Sequence, residues 1–185
     1  MENFKLDLIT DADLEEIDSW KKTYRDNEEF TKIIYYIMGG MSSDIKGLLK
    51  NLHDKNPIGE NELNLVLAAK ENDEVVGAIV ADMFDRKTKH PELYIHFIFT
   101  KPTYQSKGVG KKMLTELFLN LTKYFKTKPQ IVFANIDKTN IASQKLFSKF
   151  GLLTSGKETY GSNLAQFKAD YNNILTLINL LEKEQ

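Results

Sequence analysis

The stretch Gln105-Ser106-Lys107-Gly108-Val109-Gly110-Lys111-Lys112-Met113-Leu114 sets two glycines and three lysines at the front of a segment that continues at helical spacing. A helix entrance carries N–H groups without intrahelical partners and the positive end of the macrodipole, so it attracts anions. At Gly108 and Gly110 no Cβ keeps a phosphate away from those N–H groups, and Lys107, Lys111 and Lys112 add charge. Alone, the stretch reads equally well as a solvated basic helix start behind a glycine turn.

Three kinds of phosphate loop can be compared with it. A Walker A loop would need glycine where Gln105 stands and a hydroxyl where Lys112 stands. The dinucleotide fingerprint would need its third glycine at Met113. A loop of the form Gln/Arg-x-x-Gly-x-Gly/Ala, joining a strand to a long helix, is matched at each defined position by Gln105 to Gly110.

The surrounding chain supplies that context. "ELYIHFIFT", 92–100, is a β run ended by Lys101-Pro102, because proline lacks the ladder donor. Behind the loop, Met113, Leu114, Leu117, Phe118 and Leu121 recur at helical spacing, which predicts a helix from Gly108 to about Lys126. Upstream, Asn64 to Phe84 holds two apolar runs around Glu71-Asn72-Asp73, a hairpin. Downstream, "QIVFANID", 130–137, is a strand, followed by a helix over 140–150 with Gly151 as its C-cap.

Lys5 to Ile9 reads as a first strand, with Thr10 as N-cap of a helix beyond it. Residues 27–40 and 42–56 read as two short helices. "LLTSGKETY", 152–160, fits a strand, whereas 164–181 fits either one amphipathic helix or a strand at "LAQFKAD" and then a helix. The order predicts an α+β fold with a mostly antiparallel sheet and helices on its faces.

Bulk properties narrow the function. A chain of 185 residues is the size of one ordinary domain, so a single domain over 1–185 is expected. With 25 basic and 26 acidic side chains and no block of one sign, nothing points to nucleic acid or an anionic membrane. The absence of cysteine excludes disulfides, thiolate metal sites and a cysteine acyl-enzyme, and no metal is expected. The amino terminus has charges throughout and no segment is apolar enough to span a bilayer, so a soluble cytoplasmic protein is expected.

The loop, the strand end "IFTKPTYQ" and the later helix "NIASQKLFSKFGL" together resemble the GNAT superfamily of N-acyltransferases. In that helix Asn140, Ala142, Leu146 and Gly151 fall in the family's register, with Phe147 replacing the usual tyrosine and Leu152 the usual phenylalanine. The resemblance runs from about Asn64 to Leu152. It implies a mixed sheet with helices on both faces and a splayed pair of parallel strands, here 92–100 and 130–137. It also implies acetyl-CoA as cosubstrate, its pyrophosphate on Gln105, Ser106, Lys107, Gly108, Val109, Gly110 and Lys111. The pantetheine arm would pair with Ile98, Phe99 and Thr100, with Asn140 and Phe147 close to it.

The implied reaction is direct attack of an acceptor amine on the thioester, which needs no enzyme nucleophile. Glu92, Tyr94 and His96 share one face of their strand because alternate residues do. His96 is the candidate base, since imidazole accepts protons near neutral pH; a histidine packed in the sheet with both nitrogens satisfied is the alternative. His53 and His90 read as exposed. Asn135 lines the acceptor side or only finishes its strand.

Phe147 has no proton for the leaving thiolate, which leaves Tyr104, Tyr160 or water. The acceptor expected is a small-molecule amine, with a protein amino group or a catalytically silent acyl-CoA-binding module as alternatives. The stripe Leu164, Phe167, Tyr171, Ile174, Leu175, Ile178 and Leu181 suits either a sheet-edge cover or a homodimer contact.

Overall fold

The computed structural model describes residues 3–20, 65–84, 90–125, 127–158 and 163–183. The helices expected over 27–40 and 42–56, together with His53 and Tyr160, lie outside these residues. Strand β1 (Phe4–Leu8) is followed by helix α1 (Asp11–Ser19). Then come β2 (Leu65–Glu71), β3 (Glu74–Phe84), β4 (Glu92–Thr100) and a 3-10 turn at Pro102–Tyr104. Helices α2 (Val109–Leu119) and α3 (Leu121–Tyr124) precede β5 (Ile131–Asp137), and α4 (Ile141–Ser148) follows it. Last are β6 (Leu153–Glu158), β7 (Leu164–Asp170) and α5 (Tyr171–Lys183).

The strands form one sheet in the order β1-β2-β3-β4-β5-β7-β6. β4 and β5 run parallel, while β1–β2, β5–β7 and β6–β7 are antiparallel, so the α+β, mostly antiparallel reading holds. The parallel register covers Glu92 to Tyr94 against Ile131 to Phe133, and both strands continue past it. No helix among the described residues is long and apolar enough to cross a membrane.

By contacts the chain divides into two compact units. The first takes Met1–Val80 and Phe97–Met113. Its α1 starts on a reciprocal cap: Asp13 N–H donates to Thr10 Oγ1 at 3.3 Å, and Thr10 N–H to Asp13 Oδ2 at 2.9 Å. Asp13 is buried but paired with Lys70 Nζ at 2.8 Å on β2, which compensates its charge. The β2–β3 hairpin turns on Asn72 (φ 52°) and Asp73 (φ 66°), both left-handed as a type I′ turn requires. The core of this unit joins α1 to the sheet through Leu14, Ile17, Trp20, Val66, Phe97 and Phe99.

Gly77 sits where β3 must approach β4 closely. A Cβ there would lie 2.5 Å from the Phe99 carbonyl oxygen and 2.9 Å from Met113 Cε. The Phe99 carbonyl therefore faces β3, as does Lys101, whose N–H donates to Val76 O at 2.8 Å. Because backbone groups alternate along a strand, those of Ile98 and Thr100 point away from β3.

The second unit takes Ala81–His96 and Leu114–Gln185. The apolar stripe of α2 here is buried as expected, but the helix stops at Leu119 rather than near Lys126. At Asn120 the backbone leaves helical geometry (φ −107°, ψ 19°), and its side-chain amide donates to the Glu116 carbonyl (3.2 Å) and carboxylate (3.0 Å). α4 ends as expected at Gly151 (φ 77°), with Gly151 N–H on Ser148 O and Leu152 N–H on Phe147 O. Of the two readings for 164–181, the strand followed by a helix is the observed one. β7 pairs with β5 over its whole length, and Phe167, Tyr171, Ile174 and Ile178 of the terminal stripe are buried.

Gly77→Ala is expected to cost about 1–3 kcal/mol, the range for overpacking a tight contact, read as a lower urea midpoint.

Candidate functional site

In the first unit β4 leads directly into the glycine turn. After Thr100, Tyr104 N–H bonds to Lys101 O (2.8 Å) and Gln105 N–H to Pro102 O (3.2 Å), closing the 3-10 turn. Glu74 fastens this segment from β3: its carboxylate accepts from Lys101 Nζ at 2.6 Å and from the Tyr104 hydroxyl at 2.8 Å. These bonds hold the Glu74 carboxyl below its ordinary range, and the Glu74 bond holds the Tyr104 phenol above its own. Burial works against the Lys101 charge, but the bonds from Glu74 and Glu16 outweigh it and keep the ammonium above its ordinary range.

The turn beyond is open to solvent. Gln105, Ser106, Lys107 and Gly108 are exposed, whereas Val109 is buried and anchors the start of α2. Ser106 (φ 61°) and Gly108 (φ 82°) are both left-handed, which curls the chain. The first turn of α2 is closed by Lys112 N–H to Gly108 O at 3.0 Å, so the N–H groups of Val109, Gly110 and Lys111 lie ahead of that bond. Nothing lies within 4 Å of where a Gly108 Cβ would be. An exposed helix start flanked by Lys107, Lys111 and Lys112, with open space at Gly108, fits a diphosphate.

In the second unit β3, β4 and β5 bring together residues 14 to 41 positions apart in sequence. His96 Nε2 lies 2.7 Å from Asp82 Oδ2, and Asp82 is only 8% exposed. With Nε2–H donated to the carboxylate, the neutral ring carries its lone pair on Nδ1. The Tyr94 ring sits 4.1 Å from the His96 ring on one side and stacks on Phe133 at 4.7 Å on the other. Asn135 Nδ2 donates to the Tyr94 hydroxyl at 3.2 Å. Burial pushes the Tyr94 phenol up, the Asn135 bond opposes this, and the Asp82 charge adds to it.

The remaining expected residues are also accounted for. Asn140 caps α4, accepting from Ser143 N–H at 3.0 Å, and Phe147 is buried in its last turn. Tyr104, considered as a proton donor, directs its hydroxyl to Glu74. His90 is exposed, as expected, with Nδ1 2.6 Å from Gln130 Oε1.

The profile of the acetyltransferase (GNAT) family matches residues 18–152. The chain belongs to that family. Among solved structures, the N-acetyltransferase of Staphylococcus aureus Mu50 superposes with a TM-score of 0.61 at 20% identity, covering 92% of this chain and 99% of that one. The PaiA N-acetyltransferase of Thermoplasma acidophilum, solved with coenzyme A, gives 0.62 at 21% identity, covering 91% and 99%. At these identities the likeness is one of fold. The spermine/spermidine N(1)-acetyltransferase of Bacillus subtilis is 28% identical over 85 residues, which cover 46% of this chain and 55% of that protein. This GNAT-family chain thus spans about half the length of the curated relatives it matches.

Two interactions around His96 were not read from the sequence, its bond to Asp82 and the bond between Tyr94 and Asn135. Asp82 is the one acid between Val75 and Phe84, inside the apolar run of β3, and that isolation was the available signal. The Tyr94–Asn135 bond had no such signal, because it depends on the register of β4 against β5.

Gly108→Val is expected to weaken coenzyme A binding about tenfold or more in calorimetry. A branched residue is strained at φ 82° and its methyls would cover the N–H groups. Glu74→Gln, which loosens the ties to Lys101 and Tyr104, is expected to weaken the same binding several-fold.

Proposed function

We propose that this protein, in the cytoplasm, transfers the acetyl group of acetyl-CoA to the primary amine of a small molecule, by direct attack of the amine with both reactants bound. The observation that carries this reading is the exposed turn Gln105 to Lys111, curled at Ser106 and Gly108 onto the start of α2. Membership of the GNAT family supports it, and so does a relative named for acetylating spermine and spermidine.

Gln105 to Lys111 would hold the diphosphate, with the backbone groups of Ile98 and Thr100 orienting the arm behind it. Bound there, acetyl-CoA supplies an activated thioester. Phe99 contributes from the other side, its carbonyl packed on Gly77. His96 precedes Ile98 by two residues on the same face of β4, about 7 Å along the strand.

His96 takes one proton from the amine as the new C–N bond forms, and coenzyme A departs as its thiolate. Asp82 holds the ring through Nε2 and stabilises the imidazolium that results. The half-buried Tyr94 phenol, raised above its ordinary range, keeps its proton at neutral pH beside this pair.

Free thiol released from acetyl-CoA with a panel of small amines tests the reading, and turnover with at least one amine is expected. His96→Gln, which keeps a donor to Asp82, is expected to lower kcat roughly a hundredfold, within the range for losing a general base, with coenzyme A affinity little changed. Unaltered kcat in that variant would remove His96 from the reaction.

A further inference from the structure

We propose that Tyr94 protonates the departing thiolate, taking the place of the hydroxyl that Phe147 lacks. This rests on the acyl-transfer reading above. Among the described tyrosines, Tyr104 spends its hydroxyl on Glu74 at 2.8 Å and Tyr171 on the Phe118 carbonyl at 2.6 Å. Tyr124 is buried on α3. Tyr94 stands half-buried on the face of β4 that carries His96.

The hydrogen bond with Asn135 leaves the Tyr94 proton unspent. Nδ2 donates to the phenol oxygen at 3.2 Å, so the hydroxyl is the acceptor. The reverse orientation would spend that proton on Oδ1, whereas this one leaves Oδ1 buried without a donor. A donor aimed at the phenol oxygen favours the phenolate, the form an acid takes once its proton is given. The bond also directs the ring. Tyr94 opposes Phe133 in the last pair of the parallel ladder, and Asn135 lies two residues further along β5, so the phenol end leans past the ladder toward the level of His96.

The attacked carbon carries the amine nitrogen and the sulfur at once, so base and acid must be neighbours, each about 3 Å from its own atom on that carbon. The Tyr94 and His96 ring centroids, 4.1 Å apart, meet that condition. His96 removes a proton from the nitrogen as the C–N bond forms. As the C–S bond breaks, its electron pair goes to sulfur and the phenol proton follows. The imidazolium then returns its proton to the phenolate, which leaves amide, thiol and both side chains as they began. Phe84 and Phe133 beside the ring carry no charge, and Glu92 lies two residues away on the same strand. The Asp82 charge opposes the phenolate, and the imidazolium bonded to it offsets this.

Tyr94→Phe keeps the ring between Phe133 and His96 and removes only the hydroxyl. It is expected to lower kcat for thiol release from acetyl-CoA roughly a hundredfold, within the range for losing a general acid, with acetyl-CoA affinity in calorimetry without acceptor held within about twofold. Replacing Tyr94 by 3,5-difluorotyrosine, a more acidic phenol of nearly the same shape, is expected to bring the alkaline fall of kcat to lower pH, which a merely structural ring would not do. Unchanged kcat in Tyr94→Phe, a loss of acetyl-CoA affinity as large as the loss of rate, or an alkaline limb that fluorination leaves in place overturns the role. If the native protein releases no thiol with any amine, acetyl transfer and this role fall together. Release that Tyr94→Phe leaves intact retains the transfer and defeats this role alone.

Discussion

The pleat of β4 is the constraint on which the rest depends. Along Glu92 to Thr100 burial alternates residue by residue, with Leu93, Ile95, Phe97 and Phe99 inward and Glu92, Tyr94, His96, Ile98 and Thr100 half-buried on the other face. One strand thus supplies core to both units while presenting a carboxylate, a phenol and an imidazole in line. A register slip of a single residue would exchange the two sets and bury the imidazole among the phenylalanines. Gly77 on β3 and the parallel pairing at Glu92 to Tyr94 are what exclude that slip.

The glycine turn is positioned by side chains well away from it. Glu74 ties down Lys101 and Tyr104, and Lys101 also reaches Glu16 at 3.4 Å and lies over the Trp20 ring. Glu16 in turn accepts from Val75 N–H, so α1, the start of β3 and the exit of β4 share one polar cluster. None of its charged side chains is deeply buried, and each bond is modest by itself. Their common effect is to fix the direction in which the chain leaves β4, and with it the direction of the amides at the start of α2.

Much of this was legible in the sequence because it follows from local rules. The hairpin at Asn72-Asp73, the cap at Thr10, the end of β4 before Pro102 and the Schellman close at Gly151 each need a particular residue at one position. The glycine turn belongs to the same class. What escaped reading depends on partners distant in sequence. Periodicity alone could not divide 164–181, since pairing with β5 makes its first seven residues a strand. Nor could it see that Asn120 would turn its amide onto Glu116, or that the acid in β3 would lie opposite His96.

The Asp82–His96 pair also makes the reactive face part of the scaffold. Asp82 stands in a strand whose neighbours are nearly all apolar, and the imidazole hydrogen bond helps to compensate its burial. Any change that deletes the ring without replacing its donor takes a 2.7 Å hydrogen bond from a buried carboxylate, and melting temperature would fall along with rate. Chemistry and durability are therefore not separately tunable at this position, and substitutions accepted at Asp82 should be those that also change its partner.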